Sequence, residues 1–290
     1  MEFQNISVNG LKFAYLEDGP TSGPLALLLH GFPDSPRTWR HLMPELAAKG
    51  YHVIAPAQRG FAPTEVPEDG RYQLGQLGLD ANGLHEAFGG DENAVIIGHD
   101  WGAMMTYTAI NLEPDRWRRA VAMNVPPLAS AAGAFFDFDQ LKRSWYMFFF
   151  QSPLAEMTVP MNDYDFITRL WADWSPGFDA TEDLAYIKAS LSGEGSTLAA
   201  ISYYRAMFDP AYQSPDLAEA QAASTQTTTI PTLYLHGRDD GCFGLSVIGD
   251  PLAFLAPGSR FEVVDNAGHF LQLQQPTVVN KLVTDWLGES

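Results

Sequence analysis

The sequence predicts an α/β layered protein: a mostly parallel central sheet with helices on both faces and an inserted helical cap. Three observations predict it. Short runs that are apolar at nearly every position recur along the chain, as expected of strands buried on both faces. Helix-like segments separate them, which is the alternation of a parallel α/β sheet. One long stretch breaks the alternation and reads as helical throughout.

Residues 3–8 and 11–16 flank Asn9-Gly10, a strong hairpin signal. Buried strands are expected at 25–29, 51–55, 94–97, 120–123 and 232–235, with a further apolar segment at 261–264. Helices are expected at 39–49, closed by Gly50, at 103–112 after Gly102, and at 276–287. Between about 128 and 229 the sequence is helical and aromatic-rich, with examples at 141–150, 166–174 and 198–208. Pro126-Pro127 marks the entry to this stretch, and Ser224-Thr225-Gln226-Thr227-Thr228-Thr229 its exit. The expected division is a core domain of residues 1–127 and 230–290 and a helical cap, or lid, of 128–229. No internal repeat is visible.

The chain has 290 residues, 46% hydrophobic and 18% charged, an ordinary globular composition. Its formal net charge of −18 repels phosphate backbones and anionic lipid, so nucleic-acid and membrane partners are not expected. Cys242 is the single cysteine, so no intramolecular disulfide forms and a reducing compartment is expected. The first residues show no secretory pattern, and no apolar run approaches the ~20 residues of a membrane span. The expectation is a cytoplasmic monomer or homodimer acting on a small molecule.

The chemistry-bearing residues cluster where predicted strands end. Gly98-His99-Asp100-Trp101-Gly102 follows the strand at 94–97 and precedes a helix. It has the G-x-nucleophile-x-G pattern of an elbow, with aspartate at its centre. Glycines two before and two after let a sharp strand-to-helix turn close, and the helix N-terminus beyond favours an anion. Taken alone, Asp100 reads equally well as a helix N-cap. Gly268-His269-Phe270 precedes the last helix, so His269 stands after the nucleophile and after an acid in chain order. The acid is Asp239 or Asp240 in Gly237-Arg238-Asp239-Asp240, and either would orient the imidazole; the alternative is a capped turn. His30-Gly31-Phe32-Pro33 follows another buried strand, where the N–H of Phe32, with that of Trp101, would form an oxyanion hole.

His30-Gly31-Phe32-Pro33, Gly98-His99-Asp100-Trp101-Gly102-Ala103 and Gly268-His269-Phe270 resemble the α/β-hydrolase-fold epoxide hydrolase family over nearly the whole chain. The resemblance implies an α/β-hydrolase fold and a cap that supplies two tyrosines as hydrogen-bond donors to the epoxide oxygen. Tyr203-Tyr204-Arg205 is similar to one cap motif, in which the tyrosine before arginine is the donor, hence Tyr204 rather than Tyr203. Tyr146 in Trp145-Tyr146-Met147-Phe148 is similar to the other; as a bare residue it also reads as part of an aromatic core stripe. The family's G-x-x-D pattern favours Asp240 over Asp239. Ala57 departs from the family, many members of which carry aspartate there.

A carboxylate nucleophile suits alkyl carbon with a strained or good leaving group. Attack by Asp100 on an epoxide gives an ester and an alkoxide, which needs acids such as Tyr146 and Tyr204. Water activated by His269 and Asp240 then releases a vicinal diol. No cofactor and no metal is called for, and no zinc-protease, P-loop or dinucleotide motif is present. The alternative is a haloalkane dehalogenase using the same Asp–His–Asp machinery, with Trp101 as a halide donor. Phe32, where that family often has asparagine, counts against it. A serine esterase is disfavoured because Asp100 holds the elbow, and a non-catalytic relative because no triad member is lost. The aromatic content of the cap, including Trp145, Trp171 and Trp174, suggests an aryl or alkyl epoxide.

Overall fold

The computed structural model describes residues 1–289. Asn9 and Gly10 both take positive φ, 51° and 75°, and turn β1 (Gln4–Val8) directly into β2 (Leu11–Asp18), with Val8 opposite Leu11. The remaining strands are β3 (Leu25–Leu29), β4 (His52–Pro56), β5 (Val95–His99), β6 (Arg119–Met123), β7 (Thr232–Gly237) and β8 (Arg260–Val264). They form one sheet in the order β1-β2-β4-β3-β5-β6-β7-β8. β2 is antiparallel to both its neighbours, and every pairing from β4 to β8 is parallel.

Alternate residues of the central strands enter two separate cores. Leu27, Ile96 and Ala120 pack on one side, Leu28, Ile97 and Val121 on the other. That explains why these strands are apolar at every position rather than at every second one. Helices α1 (Met43–Ala48), α2 (Leu74–Ala87) and α3 (Trp101–Leu112) lie between the strands up to β6. α2 was not anticipated, since Gly75, Gly78 and Gly83 lower helix propensity. Each of the three is a contact surface. A Cβ on Gly75 would meet the Gln221 backbone, on Gly78 the Thr108 side chain, and on Gly83 Val8, all at 2.6 Å. The helix expected at 39–49 begins only at Met43, because Pro44 sits in its first turn, where its missing N–H costs nothing.

Between β6 and β7 the regular structure is entirely helical: α4 (Phe138–Arg143), α5 (Trp145–Phe149), α6 (Leu154–Thr158), α7 (Met161–Trp174), α8 (Thr181–Leu191), α9 (Ser196–Phe208) and α10 (Ala218–Ala222), with short 3-10 turns. The helix expected at 141–150 is broken at Ser144, whose ψ of 7° leaves the helical region and whose hydroxyl accepts from the Gln140 amide. The segment is tied to the loops that follow the strands. Trp171 Nε1 donates to the Pro33 carbonyl at 2.8 Å and Tyr203 Oη to that of Arg59 at 2.8 Å. The Trp174 carbonyl accepts from the N–H groups of Gly241 and His269. Two helices, α11 (Leu271–Gln274) and α12 (Pro276–Gly288), close the chain. No helix among the described residues is long and apolar enough to cross a membrane.

Candidate active site

Asp100 sits at the turn between β5 and α3 with φ 55° and ψ −118°. Positive φ at a non-glycine residue costs on the order of 1–3 kcal/mol, and such residues concentrate at functional sites. The surrounding glycines make the turn possible by close contact. A Cβ on Gly98 would strike the Gly102 carbonyl, one on Gly102 the Leu29 carbonyl, and one on Gly31 the Asp100 carboxylate. The carboxylate makes no capping bond to α3, which removes the N-cap reading. Instead Oδ1 accepts the Phe32 N–H at 2.7 Å, and Oδ2 lies 3.5 Å from His269 Nε2.

His269 follows β8, and its Nδ1 lies 3.1 and 3.2 Å from the two carboxylate oxygens of Asp240, beyond β7. Its own carbonyl accepts from His99 Nε2 at 2.7 Å. Asp239 points to solvent; its N–H bonds the Ala267 carbonyl, and the next residue turns inward. Asp240 is held by four further contacts. Oδ1 accepts from the N–H groups of Cys242 and Phe243 at 2.7 and 3.0 Å. Oδ2 accepts from Asn124 Nδ2 at 2.6 Å and lies 3.7 Å from His236 Nε2. Burial alone would raise the Asp240 pKa, but the His269 imidazole and these donors lower it to about 2. Burial alone would lower that of His269, but Asp240 and Asp100 raise it to about 10. The resting pair is a carboxylate and an imidazolium.

Tyr146 on α5 and Tyr204 on α9 are both buried, their rings 5.5 Å apart and nearly perpendicular. Tyr204 also stands edge-on to Trp101 and Phe32. Its hydroxyl has no hydrogen-bond partner, whereas that of Tyr146 makes only a 3.5 Å contact with Cys242 Sγ. The Tyr203 hydroxyl is engaged by Arg59, so within the pair Tyr204 alone has a free phenol. Burial, together with the negative charge of Asp100 nearby, pushes both phenols well above their usual pKa. They are therefore protonated donors at neutral pH. With Asp100 and Trp101 they line a cavity of about 340 Å³, whose remaining wall is mostly apolar and includes Leu74, Met104, Leu128, Phe135 and Met147.

Three buried residues of the site were not singled out from sequence. Asn124, at φ 63° beyond β6, bridges Asp240 and the Gly268 carbonyl; its signal is a polar residue ending an otherwise apolar run. His99 and Asp34 form a second pair, Nδ1 to Oδ2 3.8 Å, neither atom having another partner. Burial pushes the Asp34 carboxyl up and the His99 imidazole down to about 3. Around Ala57, which departs from the aspartate of many family members, the loop is secured by other means. His30 Nε2 accepts the Gln58 N–H at 3.0 Å, and Arg59 pairs with buried Asp80 at 2.6 Å. Donor atoms of Asp100, Cys242 and His269 also lie within 4.8 Å of one another, close enough to share a metal ion.

Residues 24–276 match the family model described as the alpha/beta hydrolase fold. The chain is 31% identical to epoxide hydrolase 3 of Xenopus tropicalis, covering 97% of this chain and 76% of that protein. It is 30% identical to human epoxide hydrolase 4, covering 99% and 78%. Among solved structures, an epoxide hydrolase of Bacillus megaterium bound to an inhibitor superposes with a TM-score of 0.84 at 26% identity, covering 99% of this chain and all of that one.

Proposed function

From the premise that the chain belongs to the α/β-hydrolase-fold epoxide hydrolase family, we propose that it converts an apolar aryl or alkyl epoxide to a vicinal diol through an ester on Asp100. The observation that carries this reading is a carboxylate sharing one cavity with two protonated phenols, Tyr146 and Tyr204, that have no strong partner. Residues 128–229 act as the cap that brings those phenols over the core.

Asp100 Oδ1 is already held by the Phe32 amide, so Oδ2 is the attacking atom. It displaces the epoxide oxygen from carbon, and the phenols protonate the leaving alkoxide, which is too basic to depart alone. Esterification removes the negative charge of Asp100, one of the two that hold His269 protonated. The imidazolium then gives up its proton, which replaces the one the phenols donated. Neutral His269, oriented by Asp240, deprotonates water for attack on the ester carbonyl. The carbonyl oxygen is the atom already bonded by Phe32 N–H. The Trp101 N–H, in the first turn of α3 where amides lack intrahelical acceptors, supplies the second donor. Collapse releases the diol and returns the aspartate–imidazolium pair, so charge and protons balance over the cycle.

The dehalogenase reading rests on the Trp101 indole at the cavity wall. A halide leaves as a weak base and has no use for two phenols, and Phe32 offers it no side-chain donor. Styrene oxide and a bromoalkane offered in parallel separate the two. Diol from the first with no bromide from the second is expected; bromide release without diol would reverse the assignment.

A further inference from the structure

Cys242 has no part in ester chemistry, yet its buried side chain lines the same cavity as Asp100. Its backbone N–H is bonded to Asp240 Oδ1, which fixes the thiol beside the acid loop. The geometry points to a second property of this site: Asp100, Cys242 and His269 form an inhibitory site for a thiophilic divalent cation such as Zn²⁺ or Cd²⁺.

One carboxylate oxygen, one sulfur and one imidazole nitrogen, all within 4.8 Å of one another, make an O/S/N set suited to such ions. Metal–ligand bonds of about 2.0–2.3 Å at tetrahedral angles place ligand atoms roughly 3.3–3.8 Å apart. The 3.5 Å between His269 Nε2 and Asp100 Oδ2 already lies in that range. Apart from the 3.5 Å ion pair between His269 Nε2 and Asp100 Oδ2, which the cation would replace, the donor atoms make no close contact. His269 Nε2 is buried without a hydrogen-bond partner, and Asp100 is engaged through its other oxygen. The contact of Cys242 Sγ with Tyr146 is long, at 3.5 Å. Asp240 on Nδ1 supplies the carboxylate that metal-bound imidazoles usually have on their second nitrogen. Mg²⁺ and Ca²⁺ prefer all-oxygen sets and are disfavoured here. Water, or the Tyr204 phenol in the adjoining cavity, would supply a fourth ligand.

Binding needs no redox partner. The thiol and Nε2 each lose a proton to solvent, and three metal–ligand bonds form. The bound ion occupies the oxygen that would attack and the nitrogen that would activate water, so it stops both half-reactions and excludes substrate.

The site is the one assigned above to epoxide opening, but binding can be read without turnover. Metal-stripped full-length chain is titrated with Co²⁺, then Zn²⁺, following the thiolate-to-cobalt charge-transfer band and the intense visible bands of tetrahedral cobalt. One equivalent showing both features, displaced by Zn²⁺, is expected. Cys242→Ser, and Cys242→Ala as a second variant, should lose the charge-transfer band. Asp240→Asn should weaken Zn²⁺ binding about 10- to 100-fold. Zn²⁺ should also inhibit hydrolysis by the wild-type chain reversibly, with a chelator restoring it. Cobalt spectra without the thiolate band would indicate binding at surface carboxylates alone and overturn the proposal. Absence of stoichiometric binding, or equal Zn²⁺ affinity in folded Cys242 variants, would overturn it too. If no epoxide is turned over, the cobalt spectra still decide the metal site, so the two readings fail separately.

Discussion

The strand-end loops and the helical segment between β6 and β7 hold their functional groups in different ways. In the loops, Asp100, Asp240 and His269 are fixed by hydrogen bonds and by backbone contacts tight enough to require Gly31, Gly98 and Gly102. In the helical segment, Tyr146 and Tyr204 are held by edge-on packing against Phe150, Trp101 and Phe32 and a tilted contact with Trp174, with their hydroxyls left largely unpaired. The difference matches what each group is proposed to do. A nucleophile and its base gain from one exact geometry, whereas an acid that serves a substrate oxygen must have no partner until substrate arrives. An unpaired buried hydroxyl carries a cost of about 1–3 kcal/mol, which the aromatic packing around it offsets.

The comparison breaks most severely at Asp100. Asp100→Ala should lower turnover by on the order of 10⁴-fold or more while circular dichroism shows an unchanged fold. Diol production at the wild-type rate would remove the strand-end region from the chemistry. Asp240→Asn comes next, with roughly 10³–10⁴-fold slower ester hydrolysis by analogy with other oriented imidazoles. Asp239→Asn should do little, since that side chain is exposed. The reverse ranking in burst-phase kinetics would move the acid role.

The helical region is tested by removing its hydroxyls while keeping its rings. The Tyr146→Phe and Tyr204→Phe pair together should cost ~10²–10⁴ in the rate of ester formation, and each alone less, because either phenol partly covers for the other. Rapid-quench measurement of the ester step reads this directly; a double variant nearly as fast as wild type on an epoxide would favour the dehalogenase reading. Because burial raises both phenols above the ordinary value near ~10, alkaline inactivation through them should begin only above that pH.

The smallest expected effect is on stability. His269 has a folded pKa of about 10 against an unfolded value near ~6.5. Its pairing with the two aspartates therefore stabilises the fold fully below pH ~6.5, and that contribution is lost as pH rises toward about 10. Urea midpoints should fall over that window, and less steeply in Asp100→Asn; an identical slope in the variant would mean that Asp100 does not feel the His269 charge.

Much of the strand-end region was legible because its constraints are local. Asn9-Gly10 and the Gly98–Gly102 contact around Asp100 act within a few residues, and the apolar runs mark strands buried on both faces wherever their partners lie. The choice of Asp240 over Asp239 was favoured only by the family's G-x-x-D pattern, because it depends on which of two adjacent side chains turns toward a loop far away in sequence. α2 was hidden by glycines whose purpose, close approach to β1, α3 and α10, exists only in the folded chain. Tyr146 was named by resemblance alone: in sequence it is one ring among many, and only the fold shows that it borders the cavity. Asn124, Asp34 and His99 belong to networks assembled from distant segments, so single-sequence patterns carry little trace of them.

The most direct test of the account is the origin of the diol oxygen. With the enzyme in excess over styrene oxide in H₂¹⁸O, a single turnover should yield diol without ¹⁸O, because its new oxygen comes from Asp100. Peptide mass spectrometry should then find the label in the Asp100 carboxylate. First-turnover diol carrying ¹⁸O, with Asp100 unlabelled, would mean that water attacks the epoxide directly and would contradict the ester on Asp100.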